Sequence, residues 1–405
     1  MDARPSVGPR HAGVDWSWDR QAVCVIDEEG AVLDRFDVKH QAREFTAMTE
    51  RLRRWGVERV AIERPDGPVV QALLDADVPV VVISPRQVRA FRLRHGTAGN
   101  KDDRFDAYVL ADAVRTDGHR MGSLVPDRDD TRALRALVRA RKDLVGHRIA
   151  VHNQLLANLQ HAFPGAVGLF AQLDSPISLT FLERFPTVDK AAWLSERRLQ
   201  AWLRSVGYCG NKTPASLIAH LREAPVGLEE EAGVGHAVVT IQLVGLQRTI
   251  RVQIDELDHR IAEALNLHPD GDIFRSLPRA GTNRAALLLA EIGDRRGRFP
   301  DEASLAAAAG VLPSTRASGK RHSVSFRRGC DKHLRSALVD FAQDSVKASP
   351  WARDIYDRAR SRGCRHPHAV RIVARAWVRV IWRCWTQGVP YDPTIHGGLN
   401  KLEAA

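Results

Sequence analysis

The sequence predicts a mixed α/β first domain, then a helical connector, then a mostly helical last domain. Three observations carry this. Short apolar strands with tight turns open the chain and give way to strands alternating with helices. Two long amphipathic patterns occupy the middle. The last third keeps a helical period almost throughout. The expected boundaries are 1–125, 126–270, 271–392 and a short tail 393–405. A chain of 405 residues readily supports that many cores.

Ala12 to Asp15, Ala22 to Ile26 and Gly30 to Val38 read as three strands. Asp27-Glu28-Glu29-Gly30 is a hairpin turn, so the three should form an antiparallel meander. A helix follows over Ala42 to Trp55, with Phe45, Met48, Leu52 and Trp55 on one face. Arg59 to Glu63 is a strand ending in an acid, and Arg64-Pro65-Asp66-Gly67-Pro68 breaks it. A helix over Val69 to Asp75, a strand over Val78 to Ile83 and a helix from Pro85 complete the pattern. Strands in a meander, then strands alternating with helices, imply a mixed sheet covered by helices.

Gly99 and Asn100 break the chain before Lys101-Asp102-Asp103-Arg104-Phe105-Asp106-Ala107, and a helix begins near Asp103. Asp103 and Asp106, three apart, share one helical face. Acids suit a first helical turn because the dipole is positive there. Two carboxylates so close also invite a divalent cation. Asp15 ends the first strand and Glu63 the fourth, and ligands of open α/β sheets collect beyond the carboxyl ends of strands. If those strands are neighbours, four carboxylates converge, enough for one or two Mg²⁺ ions.

The order Gly13-Val14-Asp15, Ile62-Glu63 and Lys101 to Ala107 resembles the DEDD-type insertion-sequence transposases, the bridge-RNA-guided recombinase family. The resemblance implies a RuvC-like first domain with an RNase H fold. It also implies a tetrad of Asp15, Glu63, Asp103 and Asp106. The family's last motif usually reads K-T-D-x-x-D-A, and Asp102 stands where the Thr commonly is, which leaves Asp102 an alternative to Asp103. The preceding segment also looks like the family's. Its Arg86, Arg89, Arg92 and Arg94, with Lys101 beyond them, are candidates for phosphate contact, and a solvated basic face is the plainer reading.

Thr131 to Phe163 and Ala237 to Leu267 are the two long amphipathic patterns. They suggest an antiparallel coiled-coil hairpin or a dimerising arm. One face of the first is dense with Arg132, Arg135, Arg139, Arg141, Lys142 and Arg148. Between them lies an insert of short helices with Trp193 and Trp202 as expected core.

In the last third, Phe274 to Thr282 leading into Ala285 to Gly293 outlines a helix-hairpin-helix. Backbone N–H groups around Gly281 would then face phosphate, and an ordinary helical corner is equally compatible. Val311-Leu312-Pro313-Ser314 to Ser318-Gly319-Lys320-Arg321 resembles the family's second conserved block. The resemblance makes Ser318 the nucleophile, with Ser314 the alternative; no obvious base lies beside it in sequence, so a metal held by the first domain is the candidate activator, which would make the site composite. Lys320, Arg321, Arg327 and Arg328 supply charge for phosphate. Cys330-x-x-His333 with Cys364-x-His366-x-His368 is a rival zinc pattern of irregular spacing.

Net charge is +11, which favours polyanions. Five scattered cysteines fit reduced thiols, and no apolar run approaches the length of a membrane span. The expectation is therefore a cytoplasmic enzyme, nucleoid-associated when acting, without a membrane partner. The resemblance implies a Mg²⁺-dependent DNA transposase or recombinase acting through a covalent phosphoserine. Its partners would be double-stranded DNA, a structured noncoding guide RNA and further copies in a homodimer or homotetramer. Two rivals stand beside it: a Holliday-junction endonuclease using water, and a non-catalytic DNA- or RNA-binding relative.

Overall fold

A computed structural model describes residues 8–96, 102–318 and 321–403, and the chain divides into two compact units between Pro126 and Asp127. Lys101 and Lys320 lie outside the described residues, as does the side chain of Arg321.

The first unit is built on a five-stranded sheet. Its strands are β1 (Arg10–Asp15), β2 (Arg20–Ile26), β3 (Val32–Lys39), β4 (Val57–Ile62) and β5 (Val80–Val82), in the order β3-β2-β1-β4-β5. β1 runs antiparallel to β2 and parallel to β4, so the meander and the parallel half meet at β1. The turn after β2 closes because Gly30 takes φ +87° and the Asp27 carboxylate accepts from the Ala31 N–H at 2.8 Å. Alternation then sorts the faces. Val14, Val60 and Ile62 pack with α1 (Ala42–Arg54) and α2 (Pro68–Asp75) through Phe45, Met48, Leu52 and Leu73. The opposite face is covered by α4 (Asp103–Asp117), with α3 (Pro85–Arg92) beside it. α4 buries Ala107, Val109, Leu110, Ala111, Ala113 and Val114, and each large aliphatic among them contributes about 1.5–3 kcal/mol.

The second unit begins with α5 (Asp129–Ala162). The insert follows with α6 (Pro176–Arg184), α7 (Val188–Ala192), α8 (Glu196–Ser205) and α9 (Pro214–Glu223), and the chain returns along α10 (Glu230–Leu267). α5 and α10 pair antiparallel, as Thr131 meets His268, Arg141 meets Asp258 and Asn158 meets Thr240. The insert has a core of its own around Phe163, Phe170, Phe181, Leu199 and Leu217. Trp202 packs edge-on to Phe181 at 5.6 Å. Trp193, expected in that core, is instead 60% exposed and lies under the Arg198 guanidinium, 4.1 Å from its ring centre. Its helix ends at Ala192, one residue before it, which turns the indole outward.

Beyond α10 come α11 (Gly271–Arg275), α12 (Gly281–Ile292) and α13 (Glu302–Ala308). A two-stranded hairpin follows, β6 (Ser314–Ser318) and β7 (Arg321–Ser325), then α14 (Lys332–Ser345), α15 (Pro350–Ser361), α16 (His366–Gln387) and α17 (Gly397–Glu403). The segment expected to be a tail therefore ends in a helix. Trp377 and Trp385 are fully buried, donating to Ser345 Oγ and the Gly293 carbonyl at 2.8 Å each. The base of α5 belongs to this core through Leu134 and Val138. Much of its basic face is consumed by structure. Arg139 forks onto Glu291 (1% exposed) at 2.7 and 2.8 Å, Arg135 donates to the Ala290 carbonyl at 2.6 Å, and Lys142 reaches Ser336. Among the described residues no helix is long and apolar enough to cross a membrane.

Candidate functional site

In the first unit the register aligns Val14 with Ile62, so Asp15 and Glu63 leave adjacent parallel strands side by side at their carboxyl ends. Alternation puts Asp15 on the same face as Gly13, and Glu63 on the same face as Ala61, which packs against Val109 and Leu110 of α4. Both acids are half-buried and hydrogen-bonded or otherwise engaged.

Gly13 explains why α4 lies so close. A Cβ there would meet the Ala111 N at 2.5 Å and the Leu110 Cβ at 2.8 Å, with the Ala107 carbonyl closer still. Only glycine lets the helix backbone rest on β1. The helix runs against β1. Arg104, near its start, pairs with Asp37 at 3.4 Å, while Arg115, near its end, donates to the Glu28 carbonyl at 3.0 Å. Asp37 aligns with Ala22, which aligns with Asp15, whereas Glu28 lies beyond the other end of the sheet. The first turn of α4 is thereby carried to the end of the sheet where Asp15 and Glu63 emerge.

On that turn the three aspartates differ. Asp102 is the N-cap, its Oδ1 accepting from the Arg104 N–H at 3.3 Å. Asp103 is exposed. Asp106 is 3% exposed and gripped in a two-pronged ion pair by Arg92, Nε to Oδ1 at 2.7 Å and Nη2 to Oδ2 at 2.6 Å. Arg92 thus neutralises Asp106 as a buried ion pair, and carboxylate oxygens are the donor type that suits a hard divalent ion. Alternation in β3 would have pointed to Asp37 as a further acid of this edge, and the sequence reading passed over it. It is occupied by Arg20 at 3.3 Å and Arg104.

Of the four arginines singled out near α3, Arg92 serves Asp106, and Arg94 leans to Thr116 and Asp117 at 3.1 and 3.6 Å. Arg86 and Arg89 are exposed, and among the described residues no ion pair holds either. A Ser84–Gln87 capping box fixes the start of that helix.

In the second unit, Ser314 and Ser318 stand at opposite ends of β6, and Ser318 pairs in register with Arg321. Ser318 is exposed, and among the described residues no side-chain hydrogen bond reaches its hydroxyl. The Ser314 carbonyl accepts from Ser325 Oγ at 3.4 Å. Arg328 is exposed, while Arg327 donates to the Leu312 carbonyl at 3.2 Å. Gly281 opens α12 at φ +55°, two residues after Arg279 at +59°, so the tight corner is there with an arginine in a left-handed position.

One carboxylate–histidine cluster also gathers in this unit, where α5 begins and α10 ends: Asp130, His268 and Asp294. Among the described residues neither the Cys330–His333 pair nor the Cys364–His368 run assembles such a group. His268 Nδ1 accepts from the Asp270 N–H at 3.0 Å, which puts the ring proton on Nε2, facing Thr131 Oγ1 at 2.8 Å. That tautomer offers a proton where a metal needs a lone pair, so the cluster is a polar joint. Burial lowers the His268 pKa, against the pull of Asp130. Burial, then Asp127 alongside, raises that of Asp294. At Asp127 burial is outweighed by Arg135, which holds its carboxyl below the usual range.

A family model described as a DEDD-type IS110 transposase matches residues 12–164, and one described as the transposase IS116/IS110/IS902 family matches 271–357. The chain is 31% identical over 391 residues to a Streptomyces coelicolor protein named as the mini-circle transposase of IS117, covering 92% of each. The chain belongs to the IS110-type transposase family. An IS110 insertion-element protein of the same organism is 28% identical over 74% of each chain, and the IS1328 transposase of Yersinia enterocolitica is 24% identical over 77% of this chain and 78% of that one. Among solved structures, T. thermophilus RuvC in complex with a Holliday junction substrate aligns at 18% identity and a TM-score of 0.24, over 29% of this transposase and 99% of RuvC. The strand order of the first unit, a meander joined to parallel strands at β1, is that of an RNase H-like sheet. The chain is thus a DNA transposase with an acid-bearing RNase H-like domain.

Proposed function

We propose that this transposase cuts and exchanges DNA strands through a covalent phosphoserine, using Asp15, Glu63, Asp103 and Asp106 with Mg²⁺ and Ser318 as nucleophile. One observation supports the reading above others: Gly13 lets α4 lie on β1, so that acids from three distant stretches share one end of a sheet. Asp15, Glu63, Asp103 and Asp106 would hold the ion. When bound, Mg²⁺ supplies Lewis acidity toward phosphoryl oxygens. In the first half-reaction Ser318 Oγ attacks phosphorus, loses its proton, and displaces one deoxyribose hydroxyl, which takes up a proton. In the second, the hydroxyl of another strand attacks the phosphoserine and regenerates Ser318. The phosphodiester energy is conserved and no water is consumed.

The exposed position of Ser318 on a hairpin bearing Arg316 and Arg321 in sequence, with Arg328 shortly after it, supports its access to a phosphate. Exposed Arg86 and Arg89, with Lys101 and Lys320, are proposed phosphate contacts. Gly281 is a further candidate through its backbone. The antiparallel pair of α5 and α10 is the proposed coiled-coil arm, and assembly as a dimer or tetramer and guidance by an element-encoded RNA complete the reading.

The test is denaturing electrophoresis of end-labelled element DNA with purified protein. A DNA–protein adduct should form with Mg²⁺, vanish in Ser318→Ala and in Asp106→Asn, and persist in Ser314→Ala. Full cleavage by Ser318→Ala without adduct would make the enzyme a hydrolytic junction nuclease. Sequencing of RNA co-purified from cells carrying the element tests the guide, and no enriched element RNA would remove it.

A further inference from the structure

Between Arg358 and Arg371 the chain carries five arginines and two histidines and no acid. α15 ends at Ser361, Gly363 turns the chain at φ +83°, and Arg360 locks the turn by donating to the Cys364 carbonyl at 2.9 Å. α16 then starts with no acid in its first turn and no side-chain cap. The walls meet in a cavity of about 420 Å³ lined by Arg362, Cys364, Arg365, His368 and Arg371.

Many arginines of this unit are held in ion pairs, but among the described residues those lining this cavity are not. Among the described residues no carboxylate pairs with Arg362, Arg365 or Arg371, although Arg358, one turn earlier, pairs with Asp354. Arg371 is drawn inward instead. Its guanidinium sits 4.6 Å from the Phe326 ring centre, and Arg335 sits 4.4 Å from the same ring. Arg335 is further tied to the carbonyls of Ala309 and Arg327. Burial and the neighbouring Arg335 both work against the charge on Arg371. Such concentrated positive charge without a counter-ion lowers stability unless an anion supplies the missing partner. Phe326 directly follows β7, so the cavity is joined to the hairpin that bears Ser318.

We propose that this cavity binds a backbone phosphate of a nucleic-acid strand, with Arg362, Arg365 and Arg371 as its contacts. It rests on the chain being a nucleic-acid enzyme, but not on which serine reacts. An arginine fork suits a phosphodiester better than a compact ammonium does. The contact carries no base information: it fixes register along a strand entering the hairpin.

Two readouts test it on the full chain. Arg362 and Arg365 are exposed, and among the described residues neither side chain holds another partner, so the double variant R362A/R365A should fold normally, as a thermal melt will show. In anisotropy titrations against labelled duplex DNA and structured RNA, the slope of log Kd on log salt should fall by about 2 for the duplex if each arginine meets one phosphate. Cys364 lines the same cavity, and its alkylation by iodoacetamide, followed by mass spectrometry, should slow when nucleic acid is bound to wild type. Exposed Cys209, in the insert, is the internal reference. An effect with DNA alone, RNA alone or both supports the site and names its source. If wild type binds normally but neither slope nor Cys364 labelling responds, the cavity is not a phosphate site while the proposed function stands. If wild type binds neither nucleic acid, both fall together.

Discussion

Replacing Gly13 with alanine tests how the acidic edge is assembled. The new methyl would lie 2.5 Å from a backbone nitrogen of α4 and 2.8 Å from Leu110 Cβ, against 3.4 Å for ordinary contact. Neither neighbour is a flexible side-chain end, and the Ala107 backbone carbonyl is closer still, so the helix itself must retreat by more than 1 Å. Retreat loosens the contacts of Ala107, Leu110 and Ala111, all fully buried against the sheet. Overpacking of a tight core costs about 1–3 kcal/mol and occasionally more, and this site, backbone against backbone, belongs at the upper end, near 3 kcal/mol. For a unit of this size that is a fall in Tm of about 12 °C. Hydrogen exchange read on peptides spanning 103–117 localises the effect to α4. Metal titration with Mn²⁺ should weaken in parallel, because Asp103 and Asp106 ride on that helix. Gly146→Ala, in mid-α5 with open space around it, serves as the reference and should be neutral or stabilising by up to about 1 kcal/mol. Protection of α4 and a melting point both within about 0.5 kcal/mol of wild type would refute the packing argument.

Arg92→Gln leaves Asp106 buried without its partner, so the metal-free protein should lose about 2–3 kcal/mol, and Mg²⁺ should recover more of that loss than it adds to wild type, by melts with and without the ion. Asp102→Ala removes a helix cap at a cost of about 1 kcal/mol yet keeps adduct formation, whereas Asp103→Ala abolishes adduct with little change in stability; the reverse pattern would exchange their roles. His268 has a pKa below its usual 6.5, so the unfolded chain binds the proton more readily and stability is lost as pH falls below 6.5. His268→Gln, which still donates to Thr131, should flatten the urea-midpoint profile between pH 7 and 5; an unchanged slope would exclude His268 as its source.

The antiparallel meander was legible because β1 and β2 are short apolar runs and a Gly-bearing turn joins β2 to β3, whereas the pairing of β1 with β4 entered the reading only as a condition that the fold then met. The two long helices were legible from their periodicity, although α10 begins at Glu230, one heptad before the expected Ala237, since its first turns carry acids and glycine instead of a seam. The hairpin of β6 and β7 was not legible. Most of its described side chains are exposed, and its strands carry serine, threonine, alanine, histidine, arginine and one valine, so no apolar alternation marks them. Partner choice was equally hidden. Nothing in the spacing of Arg92 says that it closes on Asp106, because that contact joins two different helices, 14 residues apart in sequence. Trp193 was misplaced for a related reason: a tryptophan is assigned to a core by composition, while one residue of helix termination decides which way it faces.

The tie between Arg139 and Glu291 has a mechanical corollary. α5 is anchored at its base into the bundle that bears Ser318, and over its 34 residues it reaches about 51 Å to the insert. A rod clamped at one end magnifies angle into travel: one degree of tilt at the clamp sweeps the far end by about 0.9 Å. Whatever grips the insert therefore holds a long handle on the serine-bearing bundle, and a small torque applied there is felt at the other end.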